Sequence, residues 1–179
     1  MWRRLLNRLI LAWRQACGDK AIPSTVIIDS RSCRSAPTCF GRGFDGGKKI
    51  KGIKVHLAVD KYGFPLAITV SPANRHDSKG IVPVLHQLAG FKGTALGDLS
   101  YRGQRLAGEA LGITIQPSAD GGTFIPEGIR VERSLAWISR YRRLNTIFER
   151  GHLVAFIEIA FISILSRRLV RLGTQEISA

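Results

Sequence analysis

A chain of 179 residues suits one domain with a sizeable buried core, and an apolar share of 45% excludes a disordered or fibrous protein. Lys and Arg total 27 against 13 Asp and Glu, a net charge of +14 that favours polyanionic partners, nucleic acid before an anionic membrane surface. Three cysteines (Cys17, Cys33, Cys39) are too few and too irregular for a disulfide scaffold or a paired zinc motif, and they fit a reduced, cytosolic setting. Cys33, Cys39 and His56 are conceivable zinc ligands, but buried or loop cysteines are commoner.

The start, MWRRLLNRLILAWRQACG, reads as an amphipathic helix over 1–17. Its Leu5, Leu6, Leu9, Ile10 and Trp13 suit docking on a neighbouring domain better than lying on a membrane. Gly18 to Pro23 break it. TVIIDS (25–30) is a β-branched run ending in a charge, the pattern of a buried strand. A loop rich in Ser, Gly and Lys follows from Arg31 to Gly52. IKVHLAV (53–59) alternates, and a turn at Asp60–Gly63 joins it to LAITVSP (66–72) as a hairpin. Ser78 is a predicted cap for a helix reaching about Ala89, closed by Gly90–Gly93.

TALGD (94–98) reads as a short strand, Gln104–Leu111 as a helix and ITIQPS (113–118) as a strand. A Gly/Pro-rich loop, Asp120–Gly128, precedes two long helices over about 129–146 and about 150–170. HLVAFIEIAFISILSRRLV is apolar almost all round. Glu158 interrupts it, and the clean run is shorter than the ~18 residues of a membrane span, so a buried helix is expected. The order β-ββ-α-β-α-β-α-α indicates an α/β fold, a mixed sheet flanked by helices. It matches the RNase H-like order, pieces of which many α/β folds share.

Three carboxylates draw notice. Asp29 ends an apolar strand, where a charge is costly to desolvate unless it meets a cation, donors or a metal; the alternative is a cap on the following loop. Asp98, in GDLSYRG, ends a second core strand, and strand-end carboxylates of parallel neighbours converge at the sheet edge where ligands bind. A turn Asp beside glycines is its alternative. Glu132 lies on a helix whose Val131, Leu135 and Ile138 face the core, with Ala136, Ser139 and Arg143 on its own face. A solvated Glu paired with Arg133 or Arg140 is the plainer interpretation. Together the three suit two-metal phosphoryl transfer, in which carboxylates hold Mg²⁺ or Mn²⁺ ions roughly 3.5–4 Å apart.

Residues 31–54 hold seven basic residues (Arg31, Arg34, Arg42, Lys48, Lys49, Lys51, Lys54) against one acid, Asp45. Nearby glycines let backbone amides approach a phosphate, and a solvated hairpin loop is the alternative. A second basic cluster, Arg140, Arg142 and Arg143, has Trp137 and Tyr141 close by, which suits phosphate contact with base stacking, or a core role for Trp137. His76 and Asp77 read as site-supporting or as loop caps, and Tyr101 and Arg133 join them as supporting residues.

The motifs IIDSRS, APTC, RGFDGGKKIKGIKVHLAVD, YGFPLAITVSPANRHDSKG, GDLSYRG and VERSLAWISRYRRL resemble the catalytic core of bacterial insertion-sequence DDE transposases of the insertion-sequence-five type. The resemblance spans residues 23–165. It implies an RNase H-like catalytic domain over 23–172, preceded by an N-terminal helix (1–22) left from a DNA-binding or dimerisation region and followed by a C-terminal tail (173–179). It places the DDE triad and the ligands of two Mg²⁺ ions, with Mn²⁺ as substitute, on Asp29, Asp98 and Glu132. It further implies strand nicking by water, then attack of the freed 3′-hydroxyl on target DNA, so Ser30, Ser100 and Tyr101 are not nucleophiles. Double-stranded DNA (element ends and target), a homodimer on DNA, a separately encoded N-terminal half, no membrane and a cytoplasmic, nucleoid-associated location complete the expectation.

Three departures stand out. Only 28 residues precede Asp29, where relatives carry more chain. Relatives often space Tyr, Arg, Glu and Lys along the Glu-bearing helix; here Gly128 and Ser139 hold two of those places, with Arg130 and Arg143 as candidate substitutes. The stretch from Asp98 to Glu132 is short, and GDLSYRG replaces an ADGAY-type sequence. Two alternatives follow: a nuclease on the same fold without strand transfer, and an inactive fragment that only binds DNA.

Overall fold

The computed structural model describes residues 1–117 and 131–177. The chain opens with helix α1 (Trp2–Ala16), followed by strands β1 (Thr25–Ser35), β2 (Gly43–Asp45), β3 (Ile50–Val59) and β4 (Pro65–Pro72). Helix α2 (Asp77–Gln87), strand β5 (Gly93–Gly97), a 3-10 turn (Leu99–Gln104), helix α3 (Arg105–Glu109) and strand β6 (Ile113–Pro117) come next. The remainder is α4 (Val131–Ser139), α5 (Arg142–Asn145), β7 (Thr146–Ile147) and α6 (Leu153–Ile177). The predicted Asp120–Gly128 loop, with Gly128 and Arg130, lies outside the described residues.

The sheet runs β2-β3-β1-β5-β6, with β4 on β3 and β7 on β1. β3 pairs antiparallel with both β1 and β4, whereas β5, β6 and β7 join in parallel. This is the expected mixed α/β sheet, with helices on both faces. β1 is central because VII is buried on both sides: Ile27 faces one core cluster, Val26 and Ile28 the other. α2 and β5–β6 bury Ile81, Val84, Leu85, Ala95 and Ile113 on the second face. α1, α4 and α6 bury Leu6, Ile10, Leu135, Ile138, Ile157 and Phe161 on the first.

Several predicted boundaries move. The polar stretch from Arg31 to Gly52, expected as a loop, continues β1 to Ser35 and then forms the β2–β3 hairpin. Its strand character comes from pairing with β3 rather than from its own apolar content: Ser32 faces Lys54, and Cys33 faces Ile53. β3 is buried continuously from Gly52 to Val59 instead of alternating, because helices cover both faces. The helix predicted over 129–146 stops at Ser139, where Arg140 and Tyr141 turn the chain into α5 and β7. α6 runs on through Ile177, beyond the predicted end and into the stretch expected as a tail.

The first helix docks on this same body, against α6. Glu158, the charge inside the apolar α6 run, accepts from Arg3 Nε at 2.7 Å. Arg14, 4% exposed, donates to fully buried Asp60 at 3.0 Å, whose other oxygen accepts from the Tyr62 and Phe64 amides of the β3–β4 turn. Buried pairs of this kind specify how elements seat more than they stabilise. Among the described residues no helix is long and apolar enough to cross a membrane.

Candidate active site

The site grows from a gap in the sheet. On one edge of β1, Thr25–Ile27 pair with β5 and Arg34–Ser35 with β7. Between them the edge from Ile28 to Cys33 has no strand partner among the described residues. Asp29 sits in that gap. Strand alternation puts it on the face of Ile27 and Cys33, beneath the layer of α4 and α6. The Ser30 amide donates to its Oδ1 at 2.7 Å.

The parallel register pairs Ile27 with Leu96, so the same register brings Asp98 level with Asp29 just after β5 ends. Exposed Asp98 takes the amide of Ser100 at 2.8 Å and also its hydroxyl, which orders the turn that follows. Glu132 lies exposed in the first turn of α4. Burial pushes the Asp29 carboxyl up to about 6; its bond from Ser30 and the charge of Lys48 oppose this, while Asp98 and Glu132 add to it. Both other carboxylates therefore lie within electrostatic reach of Asp29. Among the described residues, no three His, Cys, Asp or Glu side chains are grouped closely enough to hold a metal ion. The donor set is hard oxygen and the central carboxyl resists ionisation, features that a divalent cation would relieve.

Arg31, two residues beyond Asp29 on the same face, donates to the Leu135 carbonyl at 3.0 Å and to Ser139 Oγ. It ties the Glu132-bearing helix to the Asp29-bearing strand. Expected only as a cation of the Arg31–Gly52 loop, Arg31 belongs to the site, and its spacing of two from Asp29 is the signal of their shared face.

A polar network fills the opposite face of β1. Ser30 Oγ donates to Asp77 Oδ1 at 2.7 Å, and Ser32 Oγ donates to Asp45. The Lys54 ammonium, 5% exposed, reaches Asp77 at 2.8 Å, Asp45 at 3.6 Å and the Arg75 carbonyl at 3.0 Å. Lys54, expected among the phosphate contacts, is thus engaged inside the fold because strand pairing turns it inward. Burial alone would raise Asp77, but Lys54 and Ser30 hold it below its ordinary value. The bond from Ser32, with the Lys48 amide, Lys54 and the Gly47 amide, brings Asp45 down to about 2.

His56 bonds Ser71 Oγ at 2.9 Å, and among the described residues its Nδ1 has no partner. Gly80 of α2 lies so close that a Cβ there would sit 2.1 Å from the His56 ring, so only glycine lets α2 seat here. His76, not Ser78, caps α2, its Nδ1 accepting from the Ser78 amide at 3.3 Å. Tyr101 is buried beneath Ile28 and Gly97, and burial pushes its hydroxyl up, with Asp29, Asp77 and Asp98 adding.

The basic residues divide. Lys48, Lys49 and Lys51 are exposed at the β2–β3 turn, which Asp45 Oδ1 orders by accepting from the Gly47 and Lys48 amides. Arg42 is half-buried, donating to the Ala36 carbonyl at 3.4 Å. Arg142 and Arg143 are exposed on α5, with the Arg143 guanidinium 5.9 Å from the Phe156 ring centre. Arg133 donates to the Tyr62 carbonyl at 3.2 Å and lies 5.0 Å from the Trp137 ring. Trp137 is covered by the guanidiniums of Arg133 and Arg168 and by Phe64 and Phe161. That packing favours its core role over base stacking. Cys33 and His56 lie on opposite faces of the sheet, which removes the zinc alternative.

No curated protein matches the sequence. Among solved structures, the catalytic core domain of BIV integrase aligns at 12% identity and a TM-score of 0.44, over 78% of this chain and 82% of that one. The transposase DDE domain family matches residues 20–115, a span that holds Asp29, Asp98, strands β1 to β5 and the start of β6. The chain belongs to the transposase DDE domain family.

Proposed function

We propose that this chain, a transposase of the insertion-sequence-five type, cuts DNA strands at the ends of an element and joins them to target DNA. The observation that carries this reading is the register that brings Asp98 level with Asp29, with Glu132 close enough to add to the Asp29 shift. Asp29, Asp98 and Glu132 would hold two Mg²⁺ ions, or Mn²⁺, which when bound activate the attacking oxygen and stabilise the leaving one. Lys48 offsets the negative charge at Asp29 and, with Lys49 and Lys51, offers cations to the phosphodiester. Arg31 holds α4 against β1 and sets a guanidinium at Ser139, where the resemblance leads to a basic residue on the helix.

In the first step water attacks phosphorus and the P–O3′ bond breaks, leaving a 3′-hydroxyl and a 5′-phosphate. In the second, that 3′-oxygen attacks a target phosphorus, loses its proton to solvent, and displaces a target 3′-oxygen that takes up a proton. A homodimer would bring two element ends together, and a nucleoid-associated location in the cytoplasm follows from the substrate.

A second reading, binding without cleavage, is favoured by one observation: the three carboxylates do not form a closed ligand group among the described residues. The test is nicking of a labelled duplex carrying the element's ends, with Mg²⁺ or Mn²⁺, by the intact chain and by Asp29→Asn. Metal-dependent 3′-hydroxyl ends that vanish in the variant support catalysis. Equal absence of cleavage with binding preserved supports the second reading.

A further inference from the structure

The groove between α4 and α6 gathers four guanidinium groups and no carboxylate. Trp137, Arg140 and Tyr141 line one side and Arg167, Arg168 and Arg171 the other, around a space of ≈ 450 Å³. Two of the four basic groups, Arg167 and Arg168, are held in place. Arg167 donates to Tyr141 OH at 3.3 Å and to Ser163 Oγ at 3.2 Å, and Tyr141 OH donates to the Ala160 carbonyl at 3.2 Å. The Arg168 guanidinium lies 4.3 Å from the Trp137 ring centre and 5.3 Å from that of Phe64. Burial lowers its pKa, and the charges of Arg133 and Arg171 lower it further. Among the described residues Arg140, Arg168 and Arg171 have no ion pair.

Like charges held together repel, and a ligand of repeated negative charge removes that cost. Guanidinium forks supported on aromatic rings suit phosphodiester oxygens and resist replacement by water. The place is also informative. Arg133, Trp137 and Arg140 follow one side of α4, next to the side that carries Glu132. From Glu132 to Arg140 the helical rise is about 12 Å, and phosphates of one strand climb ~3.4 Å per step, so the groove lies about three to four phosphates away.

We propose that this groove binds the sugar–phosphate backbone of the duplex flanking the cleaved bond, with Arg140, Arg167, Arg168 and Arg171 contacting successive phosphates. It is a second track, separate from the β2–β3 hairpin, and it rests on the reading that DNA is the substrate.

The test is the salt dependence of binding to a labelled duplex, for the intact chain and for Arg140→Ala/Arg171→Ala. Both side chains are exposed and, among the described residues, without internal partners, so folding should be unchanged, checked by circular dichroism. Each duplex phosphate contact adds about 0.9 to the salt slope, so the double variant is expected to be shallower by about two. An unchanged slope and affinity overturns the groove. Asp29→Asn runs in parallel: cleavage that is absent even in the intact chain, with the slope change intact, sinks the catalytic reading and leaves the groove standing. An intact chain that binds no duplex overturns both. Loss of binding to phosphatidylserine vesicles with the duplex slope unchanged would assign the groove to a lipid surface and overturn the DNA assignment.

Discussion

Asp98 stands level with Asp29 because β1 and β5 run parallel in a register that matches Ile27 with Leu96. Both carboxylates lie just past the last paired residues, where the strands separate and β1 has yet to meet β7. The separation of β5 and β7 leaves room at this edge for something other than a strand. The same relationship places two negative charges at one sheet edge, which is costly without a cation.

That cost is measurable as stability. The folded Asp29 carboxyl titrates near 6, above its ordinary 3.8. Its contribution to folding is therefore fully present below the ordinary value and is lost as pH rises through 6. In EDTA at neutral pH, Asp29→Asn should be more stable than the parent by up to about 3 kcal/mol, less where solvent screens the charge. Urea unfolding across pH checks this: the gap should close below about pH 4 and shrink when Mg²⁺ is added. A gap independent of pH would sink the idea.

Lys54 answers two carboxylates at once. Replacing it in Lys54→Met leaves Asp77 and Asp45 facing each other across the β1 face without their shared cation. A loss of about 2–3 kcal/mol is expected, below the full value for a buried pair because Asp77 is partly exposed. Asp77→Asn/Lys54→Met should recover part of it, and additive losses in the double-mutant cycle would show that the two groups act separately.

His56 is buried neutral, with burial lowering its pKa to about 4; Asp77 opposes this, and Lys54 and Arg75 add to it. A depressed pKa means stability present above the unfolded value of 6.5 and lost as pH falls toward 4. Against the opposite gain from Asp29, His56 should cost the parent about 3 kcal/mol across that window, and His56→Gln, which keeps a partner for Ser71, should remove that cost. The urea midpoint followed against pH gives the answer, and an equally steep variant would assign the slope to other groups.

Under the proposed function Arg31 acts as a positioning residue, through its bonds to α4. Arg31→Ala removes both bonds to α4 and should lower kcat for nicking by about tenfold or more with KM for the duplex little changed, as expected of a lost alignment. Arg31→Lys should recover only part, because one ammonium does not reproduce the fork. A rise in KM alone would place Arg31 among the DNA contacts instead.

The apolar strands and buried helices were legible in local pattern: TVII, LAITV, TALG, ITIQ and the α6 run all lie where their composition puts them. Three carboxylates at strand ends and on a helix could also be picked out. The stretch from Arg31 to Gly52 could not, because Ser32 is polar and becomes a strand residue only when β3 pairs with it and Asp45 satisfies its hydroxyl. Nor could the cap by His76, the break of α4 at Ser139, or the inward turn of Lys54 be read locally. Hydrophobic periodicity reports a residue's preference for burial, and that is set within a few neighbours along the chain. Which polar groups meet inside the fold depends on strand order and register, and those exist only once distant segments have paired.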